Sequence, residues 1–281
     1  MRGRPCSNDP NDGNDPNDGN DPNDGNDPND RNDPNEGNDP NDPNDSNDPN
    51  DSNDPNDPND PNDPNGVRMC NLTHSHADFG FIVDVPEIRA LIDETHRVSR
   101  SIPNVAARVE ALRPAFARLL AADGWLPEQF AQPDRSSGMG GGIGQYALYR
   151  DEAGELCLFS LVVPAGSSTP VHDHLAWGLV GVYRGTQLDT TYARLDDGSN
   201  ESRAVLRVAT EQTVKAGGFY TLLPPDGDIH YVKTVSETPS VSIHLLANDT
   251  ACVWRHKYDP ATGTVTPFRS GYSNVKCNDE A

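Results

Sequence analysis

The sequence predicts a mainly β domain, a compact antiparallel sandwich or barrel, with two helices packed outside it on the N-terminal side. Three observations lead there. From Gln145 onward, short apolar runs alternate with turn residues. A helical period occurs only earlier, between Pro86 and Gly124. Nothing reads as the strand–helix–strand alternation that builds a parallel sheet.

The first 68 residues stand apart from that domain. From Asn8 to Asn65 an Asn recurs at every third position, nearly always followed by Asp (once by Glu36), with Pro, Gly, Ser or Arg completing the triplet. Residues 1–66 hold 19 of the 44 acidic residues, 3 of the 22 basic ones and 13 of the 25 prolines. They therefore carry −16 of the −22 formal charge, and the acidity belongs to this tail. Without apolar side chains it cannot offset the entropy of ordering, so disorder is expected. No Asp-x-Asp-x-Asp-Gly loop closed by a distal Glu occurs, so calcium binding is not indicated and an inert repeat is the simpler reading. Met69, which opens the first stretch of ordinary composition, is a candidate native start.

Residues 69–281 suit one domain, divided into a helical segment with a connector (69–143) and a β portion (144–281). Pro86 sits near the start of a first helix, where a missing N–H costs nothing, and Ile88, Leu91 and Ile92 share one face. A second helix is expected from near Pro103 to near Gly124, through Ala107, Val109, Leu112, Phe116, Leu119 and Leu120, with Pro114 as the place for a kink. The Gly-rich run around Gly140 lacks the Lys-Ser/Thr ending of a phosphate loop and reads as a connector. Strands are expected at 145–149, 156–163, 179–183, 188–194, 205–208, 219–223, 230–235, 241–246 and 252–257.

Composition excludes several functions. The acidic balance and the lack of a basic stripe argue against nucleic acid. No stretch resembles a signal peptide or a run of about 20 apolar residues, so no membrane partner is expected. Cys70, Cys157, Cys252 and Cys277 form neither a CxxC pair nor a dense framework, which points to a reducing cytoplasm. A monomer or weak homo-oligomer is expected.

The chemistry lies in two segments. In Gly166-Ser-Ser-Thr-Pro-Val-His172-Asp-His174 the two histidines, at i and i+2 of a strand, can face one ion. Pro225-Asp-Gly227-Asp-Ile-His230 supplies a third. Three neutral nitrogens on one side of a divalent ion leave other positions open, as in a catalytic site. His74 and His76 form another His-x-His pair, but without turn framing or a third partner, and read as surface residues. His96 and His256 have no partner spacing. Trp177 and Trp254 are expected to line the barrel.

These segments resemble the two motifs of the cupin superfamily. In the first, Gly166, His172, His174 and Gly185 fall in register, while the position of the usual Glu holds Gly178. In the second, Pro225, Gly227 and His230 match, and the usual Asn is Thr234. The resemblance implies a double-stranded β-helix (jelly-roll barrel). A three-His set without the Glu is similar to that of thiol dioxygenases, whose non-haem Fe(II) takes a substrate thiolate and O2 and yields a sulfinic acid.

Segments around Trp125, Thr169–Gly178 and Ser240–His244 resemble the bacterial branch that includes 3-mercaptopropionate dioxygenases, over about residues 85–260. That likeness implies Fe(II) on His172, His174 and His230, and a Ser242–His244 pair beside it. Leu246 takes the place of the branch's Tyr, so a cysteine–tyrosine cross-link cannot form. It further implies substrate carboxylate binding by Arg255 and Gln145. The expected partners are a small carboxylated thiol and O2. A three-His cupin that cleaves a dicarbonyl or enol substrate, or a non-catalytic metal-binding cupin, remains the alternative.

Overall fold

A computed structural model of the chain describes residues 79–277. The structure divides into two units, 1–69 and 70–281, and the described residues all belong to the second. The expectations for the repeat tail, Met69, Cys70, His74 and His76 fall outside the described residues.

The helices form where the period placed them. α1 spans Pro86–Ser101 and buries Ile88, Leu91, Ile92, Thr95 and Val98, a single stripe at helical spacing. Val98 continues that stripe beyond His96, which is why the helix runs on past the periodic segment. α2 spans Val105–Ala121; Asn104 caps it by accepting a hydrogen bond from the Ala107 N–H at 2.9 Å, and Pro114 lies inside it. Pro103 thus precedes the cap, and the helix stops three residues short of Gly124.

The described residues form twelve strands, numbered in chain order with β1 ahead of α1: β1 (Gly80–Phe81), β2 (Gly144–Arg150), β3 (Leu156–Val163), β4 (Val171–His172), β5 (Gly178–Arg184), β6 (Thr186–Arg194), β7 (Leu206–Lys215), β8 (Phe219–Leu222), β9 (Ile229–Thr234), β10 (Ser240–Ala247), β11 (Arg255–Asp259) and β12 (Thr264–Phe268). They make two antiparallel six-stranded sheets, β1-β2-β3-β10-β5-β8 and β12-β11-β4-β9-β6-β7. The pairs β3·β10, β4·β9, β5·β8 and β6·β7 nest one inside the next, so the eight strands β3–β10 are one long folded ribbon wound between two sheets. This is the expected jelly-roll topology. It is not the expected barrel, because the two sheets do not close on each other.

Strand parity separates two cores. On β3 and β10, Leu158, Val162, Val241, Ile243 and Leu245 join Ile88, Leu112 and Phe116 of the helices. The alternate residues Cys157, Phe159, Leu161, Val163 and Leu246 belong to a second cluster with Val180, Val232 and Phe268 on the opposite face, between the sheets. Each fully buried Leu, Ile or Phe contributes about 1.5–3 kcal/mol, so the helices are fastened to the first sheet by several such side chains. Contact is close at Gly181 of β5, where an added Cβ would collide with Leu120 and come 2.8 Å from Phe116. The same alternation turns Ser242 and His244 toward the inter-sheet face.

β1 and β12 were not anticipated; β1 has two residues, and β12 contains Pro267. The strand expected at the His-x-His pair is the two-residue β4. β7 extends seven residues beyond Val208 as an exposed polar strand, without the apolar alternation that marks a half-buried one. The run expected at 252–257 begins only at Arg255.

The cysteines correct a second expectation. Cys252 and Cys277 form a disulfide, and Cys157 is free and buried, with a thiol pushed up to about 12 by burial. The pairing removes the ground on which a reducing cytoplasm was expected. Among the described residues, no helix is long and apolar enough to cross a membrane.

Candidate metal centre

The three histidines come from two paired strands and the loop after one of them. His172 ends β4 and lies directly opposite His230 of β9. His174 does not lie on a strand, contrary to the sequence expectation, because β4 stops at His172. Asp173 turns the chain there: its side chain accepts from the His256 N–H, His256 Nδ1 and the Tyr258 hydroxyl at 2.8, 2.7 and 2.8 Å, tying the loop to β11. Leu175 then takes a left-handed backbone (φ 55°). Asp228 accepts from the N–H groups of His174 and Leu175 at 2.9 and 3.0 Å, which holds that strained turn. His174 thus reaches the site by a clamped loop.

The result is one compact group. Each of His172, His174 and His230 offers a ligand atom, and these atoms lie within 4.8 Å of one another. The ring centroids are 4.8, 4.9 and 5.0 Å apart. All three residues are at most 3% exposed. His172 Nδ1 bonds the Pro170 carbonyl at 2.9 Å, and His230 Nδ1 bonds Asp189 Oδ1 at 2.8 Å. With those nitrogens engaged, Nε2 is the free donor on each ring. His174 Nδ1 lies 3.5 Å from Asp228 Oδ1 and makes no hydrogen bond.

Burial holds His172 and His174 well below the ordinary imidazole value, and the charge of Arg255 adds to this. Neutral rings are what a divalent ion requires. The donor set therefore fits a borderline metal with nitrogen ligands, and the missing carboxylate ligand has a steric reason. At Gly178 an added Cβ would stand under 3.0 Å from Leu246 Cδ2 and the Leu245 carbonyl oxygen, and 3.2 Å from Leu246 Cα.

Ser242 and His244 are together, with Ser242 Oγ 3.0 Å from His244 Nε2. Gln187 Nε2 donates to Ser242 Oγ at 3.4 Å and to Ser240 Oγ at 2.9 Å, which leaves the Ser242 proton for His244 Nε2. That chain assigns the imidazole proton to Nδ1, a buried atom with no partner among the described residues. Phe159 stacks on the ring at 4.5 Å and 16°, and the His174 ring lies 6.5 Å away. Burial first, then His230 and Arg255, hold His244 well below its ordinary value.

The two expected carboxylate binders differ. Gln145 is buried on β2, and its Nε2 has no partner among the described residues. Arg255 is buried too, and each of its nitrogens donates to the protein: Nε to the Thr250 carbonyl (2.9 Å), Nη1 to the Asp173 carbonyl (2.7 Å) and Nη2 to Ser270 Oγ (3.0 Å). Its ring contact is Phe268, at 4.7 Å. Burial pulls this guanidinium down to about 10. It reads as a fixed positive charge rather than an open fork.

Other expectations also move. Trp254 is 65% exposed, with Arg269 over its ring, and Trp177 packs against the helix-side core, so neither lines the interior. His96 makes an edge contact with Tyr149. His256 is Asp173's partner. Asp173, Asp189, Asp228 and Tyr220 were not anticipated. Asp173 and Asp228 were legible in hindsight, as acids inside the two histidine motifs; Asp189 and Tyr220 carried no sequence signal.

No family model matches the chain. Solved structures that resemble it include the Schizosaccharomyces pombe Cnp3 cupin domain (17% identity, 38% of this chain and 62% of that one, TM-score 0.29). Another is an oxalate oxidase in complex with the substrate analogue glycolate (18%, 46% and 62%, TM-score 0.33). A third is a cupin superfamily protein from Desulfitobacterium hafniense DCB-2 (12%, 38% and 78%, TM-score 0.28). The match spans less than two thirds of the length of the first two.

Proposed function

We propose that the protein is an Fe(II)-dependent thiol dioxygenase that adds both atoms of O2 to the sulfur of a small carboxylated thiol, giving a sulfinic acid. The observation that carries the reading is the juxtaposition of three buried imidazoles with a fourth, His244, whose Nδ1 has no partner among the described residues. His172, His174 and His230 would hold the metal. When bound, Fe(II) would supply the Lewis acidity that favours the thiolate form of a substrate and a redox-active centre through which the sulfur's own electrons reach dioxygen.

The remaining tasks fall to the chain. His244, fixed in plane by Phe159 and in tautomer by Ser242, presents an Nδ1–H to the substrate or to oxygen. Gln145, whose amide nitrogen has no partner among the described residues, would offer an N–H to one carboxylate oxygen. Arg255 keeps a positive charge behind the histidines and favours an anionic substrate without leaving its own hydrogen bonds. Leu246 and Phe159 form apolar wall, which excludes water and suits a thiol carrying hydrocarbon.

The test is oxygen uptake by protein loaded anaerobically with Fe(II) and given a panel of thiol carboxylates and dicarbonyls. Uptake with a thiol and appearance of its sulfinate are expected. Uptake only with a dicarbonyl, or with nothing, would overturn the proposal.

A further inference from the structure

Among the three metal-site rings, one hydrogen-bonds a carboxylate. His172 Nδ1 meets a neutral backbone carbonyl, and Asp228 near His174 spends both oxygens on backbone N–H groups. His230 Nδ1 instead lies 2.8 Å from Asp189 Oδ1, with the side chains 1% and 0% exposed. Asp189 stands on β6, beside His230 on the neighbouring β9. Its other oxygen accepts from Gln212 Nε2 at 3.0 Å, across the β6·β7 pair.

Tyr220 of β8 reaches the same place from the other sheet. Its ring meets His230 edge-on at 6.0 Å, and its buried hydroxyl has no partner among the described residues. Burial and the neighbouring Asp189 hold that phenol protonated, well above its usual range.

Full burial of an acid beside an imidazole, a carboxamide and a phenol is costly, and an apolar residue would pack more cheaply in a sheet interior. The cost has a purpose if a dipositive ion sits on the far side of the imidazole. An anionic acceptor at Nδ1 fixes the ring's tautomer, aims Nε2 and raises its donor strength. We propose that Asp189 is the outer-sphere carboxylate of this centre, a positioning residue that acts through His230 on a metal and supplies negative charge that the three imidazoles lack. This rests on the reading that the three histidines hold a metal.

The experiment uses the full chain and Co(II) as probe, comparing wild type with Asp189→Asn. The amide oxygen can still accept from His230, so the variant removes charge while keeping shape. Co(II) affinity is expected to fall about 10- to 100-fold, with a shift in the visible absorption of the bound ion. The metal-free variant should melt no lower than wild type, a pattern that a merely structural acid would not give. Equal affinity and an unchanged spectrum would overturn the inference while leaving the metal site standing. Failure of the wild type to bind Co(II) would instead overturn the metal reading. A second measurement needs no variant: the Zn(II)-loaded wild type should show a downfield, exchange-protected His230 Nδ1–H in proton NMR, and its absence would also overturn the inference.

Discussion

Gly178→Ala tests how tightly the sheet beside the site is packed. The added methyl would stand under 3.0 Å from both Leu246 Cδ2 and the Leu245 carbonyl oxygen, and 3.2 Å from Leu246 Cα. Carbon–carbon contact is comfortable near 3.5–4.0 Å, so β10 must move away from β5 or the Leu246 side chain must leave its position. The side chain can yield, but the carbonyl oxygen belongs to a ladder shared with β3 and β5 and cannot. Overpacking costs about 1–3 kcal/mol, and the backbone partner places this case near about 3. For a domain of this size, that lowers Tm by roughly 6–12 °C. Thermal and urea unfolding of the metal-free protein measure it. Adding Leu246→Ala should cost less in the Gly178→Ala background than in wild type, because one of the two clashes is then gone. A change below about 0.5 kcal/mol for Gly178→Ala would refute the packing argument, and with it the explanation of why no carboxylate ligand stands at this position.

Three other outcomes are expected. His172, His174 and His244 are held neutral by burial, so the unfolded chain binds their protons more readily; stability of the metal-free protein is intact above 6.5 and falls as pH drops below it, with a slope approaching about 4 kcal/mol per pH unit, read by urea titration between pH 7 and 5. Phe159→Leu should leave metal binding in place but lower kcat about tenfold or more, since the stack that orients His244 is lost; kinetics on loaded protein check this. Cys252→Ser together with Cys277→Ser should cost about 3 kcal/mol, because the bond closes a loop with a sequence separation of 25, and non-reducing peptide mapping should find the two cysteines linked in wild type.

The grouping of His172, His174 and His230 was legible because two short motifs place these histidines after turn residues, and such spacing survives without any knowledge of packing. The strand carrying Ser242 and His244 was legible because β10, like its neighbour β3, is buried on both faces and so is rich in apolar residues. What escaped depended on pairing. Asp189 sits in a strand of Thr, Gln and Asp whose meaning appears only when β9 lies beside it. Tyr220 reaches His230 from the opposite sheet, a distance no local pattern encodes. Arg255 was recognisable as a cation near the site, but not as one already bonded at all three nitrogens, because its acceptors are two backbone carbonyls and a distant serine. The disulfide escaped for a similar reason, since Cys252 and Cys277 are brought together by the segment after β12 folding back.

The fate of the oxygen atoms is the decisive observable for a thiol dioxygenase. Fe(II)-loaded protein should be given a carboxylated thiol under isotopically labelled dioxygen, and the product analysed by mass spectrometry. A sulfinic acid carrying both labelled atoms is the predicted result. A product without label, a disulfide alone, or the same yield from a His172→Ala and His230→Ala double variant would contradict the central claim.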